Sequence, residues 1–272
     1  MQRGATTTIS ASSYLNAAPL NYLLHYGEVP DWLEVRFEGP AAGAEALRNG
    51  RADLCILPAV EFQRIPGLVV LPGMAIASPG RVRSVVVLSR RPFEELRHIG
   101  VTAKSRASVA LLQVISSEFL GHRLELTSFD SYSEAMDRFD GALLIGDEAL
   151  TTPAGALQVT DLAELWRRHT GLPFVFAIWA ARRESCSQRL VDFLHRSKRA
   201  GLTGLPRIAA DFSSRLGMTP AAVEDYLSGN ISYELGPAEL KSLDLYFRLC
   251  HRHGLIDRPR PLEFGNVDIH PG

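Results

Sequence analysis

The chain has 272 residues, of which 46% are hydrophobic and 22% are charged, and its formal net charge is −1. This composition excludes an intrinsically disordered chain, and three cysteines are too few for a disulfide-stapled scaffold. No apolar run approaches the ~18 residues of a membrane-spanning helix. A net charge near zero argues against a nucleic-acid partner. At ~150 residues per domain, the length predicts two domains.

The first twenty residues lack the apolar core of a secretory signal peptide. Such a signal needs a continuous apolar stretch of roughly 7–15 residues. Here the large apolar residues are few and scattered: Ile9, Tyr14, Leu15 and Leu20. We therefore expect the protein to stay in the cytoplasm, where its cysteines remain reduced.

Short apolar stretches typical of strands alternate with helix-like stretches in the first two thirds of the chain. The predicted strands cover residues 6–12, 33–38, 52–58, 68–78, 84–89, 99–102, 124–129, 142–145 and 174–180. The predicted helices between them cover residues 16–26, 41–49, 105–119 and 132–139. Alternating strands and helices are typical of α/β folds with parallel sheets.

After Arg183 the pattern becomes helical. Four helices are predicted, at residues 188–200, 206–216, 220–228 and 237–253. Three of them begin at a proline and all four run into a glycine, as helices commonly do. The fold class is therefore α/β with a helical C-terminal segment. Because no Gly/Ser-rich linker divides the chain, we expect the two α/β blocks to be joined by strands.

Motifs for several common chemistries are missing from the sequence. It contains no G-x-x-x-x-G-K-[ST] phosphate-binding loop, no G-x-G-x-x-G after a strand and no G-x-S-x-G nucleophile elbow. Cys250, His251 and His253 lie close together in sequence. On a helix, however, they point in different directions, so we predict no metal site.

Polar residues at the ends of predicted strands remain as candidates for a binding site. Loops that follow the strands of a parallel sheet meet at one edge, where ligands bind. Asn16 opens the first predicted helix, either as its N-cap or as a group that binds a substrate hydroxyl or carboxylate. Gly146 follows a buried strand and permits a turn or the close approach of a ligand. Asp147 then lies at the sheet edge, or serves as an N-cap or surface residue.

The helix predicted from Ser105 begins with two serines and an arginine, Ser105, Arg106 and Ser108. A helix N-terminus attracts anions through its free N–H groups and its dipole. The alternative role for Ser105 is simple capping. Ser84, near the start of a strand, is by itself only a polar residue. The residues alone thus predict a two-lobed α/β protein with an anion-accepting crevice.

Six segments carry a further pattern: residues 13–20 (SYLNAAPL), 53–58 (DLCILP) with Glu61, 83–85 (RSV), 105–112 (SRASVALL), 144–150 (LIGDEAL) and 170–177 (TGLPFVFA). Together and in this order they resemble the chorismate dehydratase family (MqnA) of the futalosine route to menaquinone. The resemblance spans about residues 10–182, and the helical tail fits it. Two departures are Ala107, where the family often has a hydroxyl residue, and the stretch after Pro259.

The resemblance implies the two-lobed fold of type II periplasmic binding proteins, which clamp a ligand between two α/β lobes. In that topology the second lobe is an insertion in the first. Lobe 1 is then expected to comprise residues 1–88 plus 174–272, and lobe 2 residues 89–173. A transport receptor with this fold would be exported, so the expected cytoplasmic location favours an enzyme.

The resemblance also implies the reaction, which is the loss of water from chorismate to give 3-[(1-carboxyvinyl)oxy]benzoate, without a metal or an organic cofactor. It implies Asn16 and Ser84 as the catalytic residues. The implied substrate-binding residues are Ser105, Arg106, Ser108, Gly146 and Asp147. Neither an amide nor a hydroxyl has a pKa suited to removing a proton from carbon. We therefore expect the substrate's own side-chain carboxylate to be the base, with Asp147 as the alternative.

Two other functions stay open. One is a non-catalytic cytoplasmic protein that binds a small anion. The other is the related 1,4-dihydroxy-6-naphthoate synthase (MqnD), which shares the fold, although its Ser-Pro-Cys-Pro-Asn-Asp opening is absent from this sequence. The sequence does not determine the oligomeric state.

Overall fold

The computed structural model describes residues 6–102 and 105–267. Its strands are β1 (Thr7–Ser12), β2 (Leu33–Glu38), β3 (Leu54–Pro58), β4 (Leu68–Ser78), β5 (Val85–Ser89), β6 (His98–Val101), β7 (Glu125–Ser128), β8 (Gly141–Ile145), β9 (Gln158–Asp161) and β10 (Phe174–Arg182). They form two five-stranded sheets, with the orders β2-β1-β3-β10-β4 and β7-β6-β8-β5-β9. We call the elements around the first of these sheets the first lobe and those around the second sheet the second lobe.

Helices cover both sheets and form the C-terminal region. They are α1 (Tyr22–Tyr26), α2 (Pro40–Arg48), α3 (Ala59–Arg64), α4 (Ala107–Val114), α5 (Tyr132–Arg138), α6 (Gly146–Thr151), α7 (Leu162–Thr170), α8 (Gln188–Thr203), α9 (Leu205–Leu216), α10 (Pro220–Asp225) and α11 (Pro237–Arg252). Two of them continue as π-helical turns, Ile115–Phe119 after α4 and Tyr226–Asn230 after α10. These helices confirm the predicted helical tail, with bounds that differ by a few residues.

The sheets are mixed, so the prediction of parallel sheets is wrong for two strands. β1 runs parallel to β2 and β3, as predicted. β10, however, is antiparallel to β3 and β4. β5 is antiparallel to β8 and β9. An apolar run predicts a buried strand, but its direction depends on how the chain returns to the sheet, which no local pattern records.

The chain crosses between the two sheets twice. It leaves the first sheet after β4 and enters the second with β5, and it returns through α7 to β10. All of β5 pairs in the second sheet. A boundary at residue 88 would divide this strand, so a division before Val85 agrees better with the pairing. The predicted division into a discontinuous and an inserted lobe stays a prediction.

The core is continuous across the two lobes. Strands β3 and β10 are buried on both faces, as their apolar runs predict. One face of the second sheet, including Val87 and Leu143, joins the main core of the first lobe. Its other face forms a smaller cluster with α5, around Phe129 and Phe139. Because burial of apolar side chains is the main stabilising term, the two lobes fold against each other along one seam.

The segment between residues 16 and 26 differs from the single predicted helix. A short 3-10 turn, Leu15–Ala17, precedes α1, which begins only at Tyr22. The elements α3, α6, β9 and α7 were not predicted. Among the described residues, no helix combines the length and the apolar character needed to cross a membrane. The cytoplasmic location stays a prediction.

Candidate active site

A cavity opens between the two lobes. Its apolar wall comes from Pro40, Ile56, Pro58, Ile76, Val85, Ala107, Ile145, Phe176 and Ala177. The polar side chains that line it are those of Ser12, Tyr14, Asn16, Ser84, Ser105, Arg106 and Ser108. Six predicted site residues therefore meet in one cavity, since Gly146 lines it as well.

Asn16 lies in the 3-10 turn that follows β1. The N-cap of this turn is Tyr14, and no side chain caps it. The alternative role of Asn16 as a helix N-cap is therefore wrong. Its half-buried side chain lines the pocket from the first lobe, where an amide offers both a donor and an acceptor to a ligand.

Ser84 lies in the pocket wall, at the point where the chain enters the second lobe. It is fully buried, and its hydroxyl oxygen accepts a hydrogen bond of 2.7 Å from the phenol of Tyr226. Its carbonyl accepts the N–H of Gly146 at 2.7 Å. Ser84 is thus held on both its side chain and its backbone.

The residue before Ser84 has an uncommon backbone conformation. Arg83 is left-handed, with φ of 64°, the sole non-glycine residue with positive φ in residues 6–102 and 105–267. Such a conformation costs on the order of 1–2 kcal/mol for a residue with a side chain. The carboxylate of Asp161 accepts the N–H groups of Val82 at 3.0 Å and Arg83 at 2.7 Å. These bonds stabilise the turn that presents Ser84 to the pocket.

The start of α4 brings Ser105 and Ser108 to the pocket, as predicted. The N-cap of α4 is Arg106, and no side-chain hydrogen bond caps the helix, so the capping alternative for Ser105 is wrong. The first N–H groups of an α-helix have no acceptor within the helix. The pocket therefore contains two hydroxyls beside a helix N-terminus, a combination that favours an anion.

Arg106 also lines the pocket, but two carboxylates hold its guanidinium. It donates to Glu45 at 2.7 Å and to the fully buried Glu61 at 3.1 Å. Arg48 and Arg64 bind the same Glu61 carboxylate at 2.6 Å and 2.8 Å. The guanidinium of Arg106 is thus held by two carboxylates of the first lobe, and its contact with a substrate carboxylate stays a prediction.

Gly146 and Asp147 contact the first lobe directly. Gly146 has φ of 59°, and a Cβ atom there would lie 2.8 Å from the Tyr14 ring. Asp147 is absent from the residues that line the pocket; its carboxylate instead accepts the N–H of Leu15 at 3.1 Å. The N-cap of α6 is Ile145, so the N-cap alternative for Asp147 is wrong. The two residues form a seam between the lobes, and Gly146 alone of the pair lines the pocket.

Comparison with known proteins assigns the chain to a family. A family model described as menaquinone biosynthesis matches residues 7–252. This chain belongs to the menaquinone biosynthesis family. The chorismate dehydratase of Thermus thermophilus is 33% identical over 242 residues, which cover 82% of this chain and 87% of that relative. The resemblance inferred from the six segments is confirmed.

Solved structures share the fold of this menaquinone biosynthesis family member. A protein from Archaeoglobus fulgidus has a TM-score of 0.76 at 17% identity, covering 94% of this chain and 100% of that one. The alkanesulfonate-binding protein of Xanthomonas axonopodis pv. citri has a TM-score of 0.68 at 13% identity, with 96% and 97% covered. The aliphatic sulphonate binding protein of Escherichia coli has a TM-score of 0.61 at 14% identity, with 95% of each covered. They confirm the predicted periplasmic-binding-protein-like fold.

The titratable groups near the pocket of this family member are few. Burial raises the pKa of the Tyr14 phenol, and the carboxylates of Asp147 and Glu148 raise it further. Burial likewise raises the pKa of Asp147, against the opposing effects of the Leu15 N–H and of Arg215. Among the described residues, no carboxylate or imidazole lines the pocket, and no three metal-ligating side chains cluster.

Two side chains that hold Ser84 in place were not predicted from the sequence. Tyr226 lies in the helical tail, 142 positions from Ser84. Asp161 lies at the end of β9, in a stretch where no element was predicted. Both are ordinary polar residues in their local sequence, so only their three-dimensional proximity to Ser84 identifies them.

Proposed function

We propose that this protein is a chorismate dehydratase that converts chorismate to 3-[(1-carboxyvinyl)oxy]benzoate and water. Membership of the menaquinone biosynthesis family and the Thermus thermophilus relative of that name support the activity. One observation carries the proposal at this site. Asn16 and Ser84 line one pocket between the lobes, whose described lining lacks a carboxylate and an imidazole.

The pocket suits a dianion that is bound by neutral donors. Chorismate has a ring carboxylate and an enolpyruvyl carboxylate. The hydroxyls of Ser105 and Ser108, next to the start of α4, are suited to one of them. The apolar wall, with Phe176 and Ile56, packs against the ring. The charged side chain in the described lining is that of Arg106, which Glu45 and Glu61 also bind.

The chemical step is an elimination in which the substrate supplies its own base. The enolpyruvyl carboxylate takes the proton from the ring carbon that bears the ether oxygen. The electrons of that C–H bond form a ring double bond, and the bond between the neighbouring carbon and its hydroxyl breaks. The hydroxyl takes up the transferred proton and leaves as water, so that atoms and charges balance. Formation of the aromatic ring drives the reaction.

The protein contributes position and hydrogen bonds. The Asn16 amide and the Ser84 hydroxyl orient the enolpyruvyl carboxylate and the departing hydroxyl. Holding reacting groups in one geometry accounts for much of the acceleration in such reactions. Donors aimed at developing charge contribute further. Asp147 is not needed as a base, since its carboxylate accepts the Leu15 N–H and does not line the pocket.

The direct experiment incubates the purified protein with chorismate and follows the aromatic product by ultraviolet absorbance and mass spectrometry. We expect turnover without added metal or cofactor. Asn16→Ala is expected to lower kcat/KM by roughly 100-fold or more, as loss of a donor to developing charge does. Asn49→Ala, at the exposed residue that follows α2, is the control and is expected to leave turnover unchanged.

Two results would reject the proposal. Binding of chorismate without turnover, seen as a raised melting temperature and no product, indicates a non-catalytic anion-binding protein. Near-wild-type turnover by Asn16→Ala rejects the assignment of that residue. A separate measurement distinguishes the enolpyruvyl carboxylate from Asp147 as the base. An Asp147→Asn variant that binds chorismate but is inactive favours Asp147.

A further inference from the structure

We propose that Tyr226 is a positioning residue for the dehydration, because its phenol directs the proton of the Ser84 hydroxyl into the pocket. The inference rests on the proposed function and adds a residue from the helical tail to it. The phenol oxygen lies 2.7 Å from Ser84 Oγ, and Tyr226 is fully buried. The direction of this hydrogen bond determines what the serine can do.

A serine hydroxyl has one proton to donate and two lone pairs. The phenol of Tyr226 donates to Ser84, so one lone pair of Oγ is occupied and its own proton is free for another acceptor. Burial raises the pKa of the Tyr226 phenol above its usual range, so the phenol keeps its proton at neutral pH. Since Ser84 lines the pocket, an acceptor on the substrate is available to it. Without the phenol, the serine hydroxyl can turn and donate elsewhere.

The residues next to Tyr226 hold its turn close to Ser84. Tyr226 begins the π-helical turn Tyr226–Asn230, and such turns are frequent at functional sites. The amide of Asn230 donates to the carbonyl of Arg81 at 2.9 Å. The carboxylate of Asp225 binds the Arg83 guanidinium at 3.0 Å. Residues on both sides of Tyr226 therefore tie the turn to the segment that precedes β5.

This segment is also held from its other side. Asp161, in the second lobe, accepts the N–H groups of Val82 and Arg83. The helical tail and the second lobe thus hold the same crossover, and Ser84 lies at its end. The donor, Tyr226, is fully buried, and the acceptor, Ser84, is held from both sides. Thermal motion therefore rarely breaks this hydrogen bond. This geometry distinguishes Tyr226 from an ordinary core tyrosine.

The chain offers a matched control for this interpretation. Tyr233 is also buried, and its phenol oxygen has no hydrogen-bond partner in the part of the chain that the structure describes. Tyr233→Phe therefore removes the same atom from the same kind of environment without touching Ser84. We expect it to leave turnover unchanged and to be neutral or stabilising for the fold. Tyr226→Phe is expected to lower kcat/KM about tenfold, with most of the change in kcat.

A double-mutant cycle separates positioning from a general structural role. Turnover of chorismate and the Kd of its product are measured for wild type, Tyr226→Phe, Ser84→Ala and the double variant. All are measured at a temperature at which circular dichroism shows each to be folded. If Tyr226 acts through Ser84, Tyr226→Phe has no further effect in the Ser84→Ala background. The product Kd reports the same coupling where residual turnover is too slow.

Three outcomes overturn this inference. The first is an equal effect of Tyr226→Phe in both backgrounds, the second is no effect in either, and the third is an equal loss in Tyr233→Phe. Failure of the proposed function is a different result, because wild type itself would then not convert chorismate. In that case, ligand affinities in the same four proteins still test the coupling between Tyr226 and Ser84.

Discussion

The carboxylate of Asp147, at the start of α6 in the second lobe, accepts a hydrogen bond of 3.1 Å from the backbone N–H of Leu15 in the first lobe. The two residues are 132 positions apart in sequence. Beside this bond, the ring of Tyr14 packs against Gly146. The two lobes are therefore in direct contact at this seam. Asp147, which was expected near the substrate, joins the lobes instead.

The first prediction concerns the pH dependence of this contact. Burial raises the pKa of Asp147, so the folded state binds this proton more tightly than the unfolded state does. The resulting stability is fully present below the usual carboxyl pKa of about 3.9 and is lost as the pH rises through the folded pKa. The free energy of unfolding of wild type minus that of Asp147→Asn should fall as the pH rises from about 4. Chemical denaturation between roughly pH 3 and 7 measures this difference.

Asp140 is the control with the opposite sign. Burial alone would raise its pKa, but the N–H groups of Arg97 and His98 and the guanidinium of Arg91 lower it. The corresponding difference for Asp140→Asn should rise with pH and level off by about pH 5, where the unfolded carboxyl is ionised as well. A difference for Asp147→Asn that also rises with pH would contradict the burial of its carboxylate at the seam.

The second prediction tests the contact between Gly146 and Tyr14. Gly146→Ala places a Cβ atom 2.8 Å from the Tyr14 ring, in a left-handed backbone conformation. We expect a loss of stability and a raised KM for chorismate, because the lobes cannot meet as closely. Gly155→Ala has a similar φ of 56° with no atom within 4 Å of the added Cβ atom. It isolates the backbone cost of about 1–2 kcal/mol. Equal effects of the two substitutions on stability and KM would exclude a role for the Tyr14 contact.

The third prediction concerns the buried carboxylate of Glu61. Three arginines surround it, and their side chains are 28% to 34% exposed. Glu61→Gln leaves these charges without their shared partner, and we expect a loss of about 3 kcal/mol, at the lower end of the range for a broken buried ion pair. The free energy of unfolding in denaturant measures it.

Glu45 provides the comparison for Glu61. It binds Arg48 and Arg106 as well, but at the surface, where hydrogen bonding to Arg106 is the main cause that lowers its pKa. Glu45→Gln should cost less than Glu61→Gln, because water screens exposed pairs. The reverse order would mean that burial does not decide the strength of this cluster.

The fourth prediction compares two buried serines at opposite ends of β5. Ser84→Ala should lower kcat/KM for chorismate by roughly 100-fold or more. Ser89 is equally buried, and its hydroxyl donates to the carbonyl of Arg91 at 2.7 Å, away from the pocket. Ser89→Ala is expected to cost about 1 kcal/mol of stability and to leave turnover within about twofold. Steady-state kinetics of the two variants tests this difference. If both variants lose turnover, the cause is a less stable β5 rather than the missing Ser84 hydroxyl.

Local patterns in the sequence determined most of the elements. The apolar run at residues 68–78 coincides with β4, and the proline and glycine signals of the tail placed its helices within a few residues. These successes share a cause, since burial on both faces and helix termini are recorded in adjacent residues. The order of the six motifs also predicted the family, and the family resemblance predicted that Asn16 and Ser84 share one site, as they do in the pocket. The direction of β5 and β10 was predicted incorrectly, because direction depends on the path of the chain.

Only the tertiary structure decided which partners the polar side chains find. Arg106, predicted to meet a substrate anion, binds Glu45 and Glu61 in the other lobe. Asp147, predicted to face the substrate, binds a backbone N–H 132 residues away. Tyr226, unremarked in the sequence, is the side-chain partner of Ser84. A carboxylate or a phenol has the same chemistry in a crevice as in a seam, and only the folded chain determines which partners lie within about 3 Å of it.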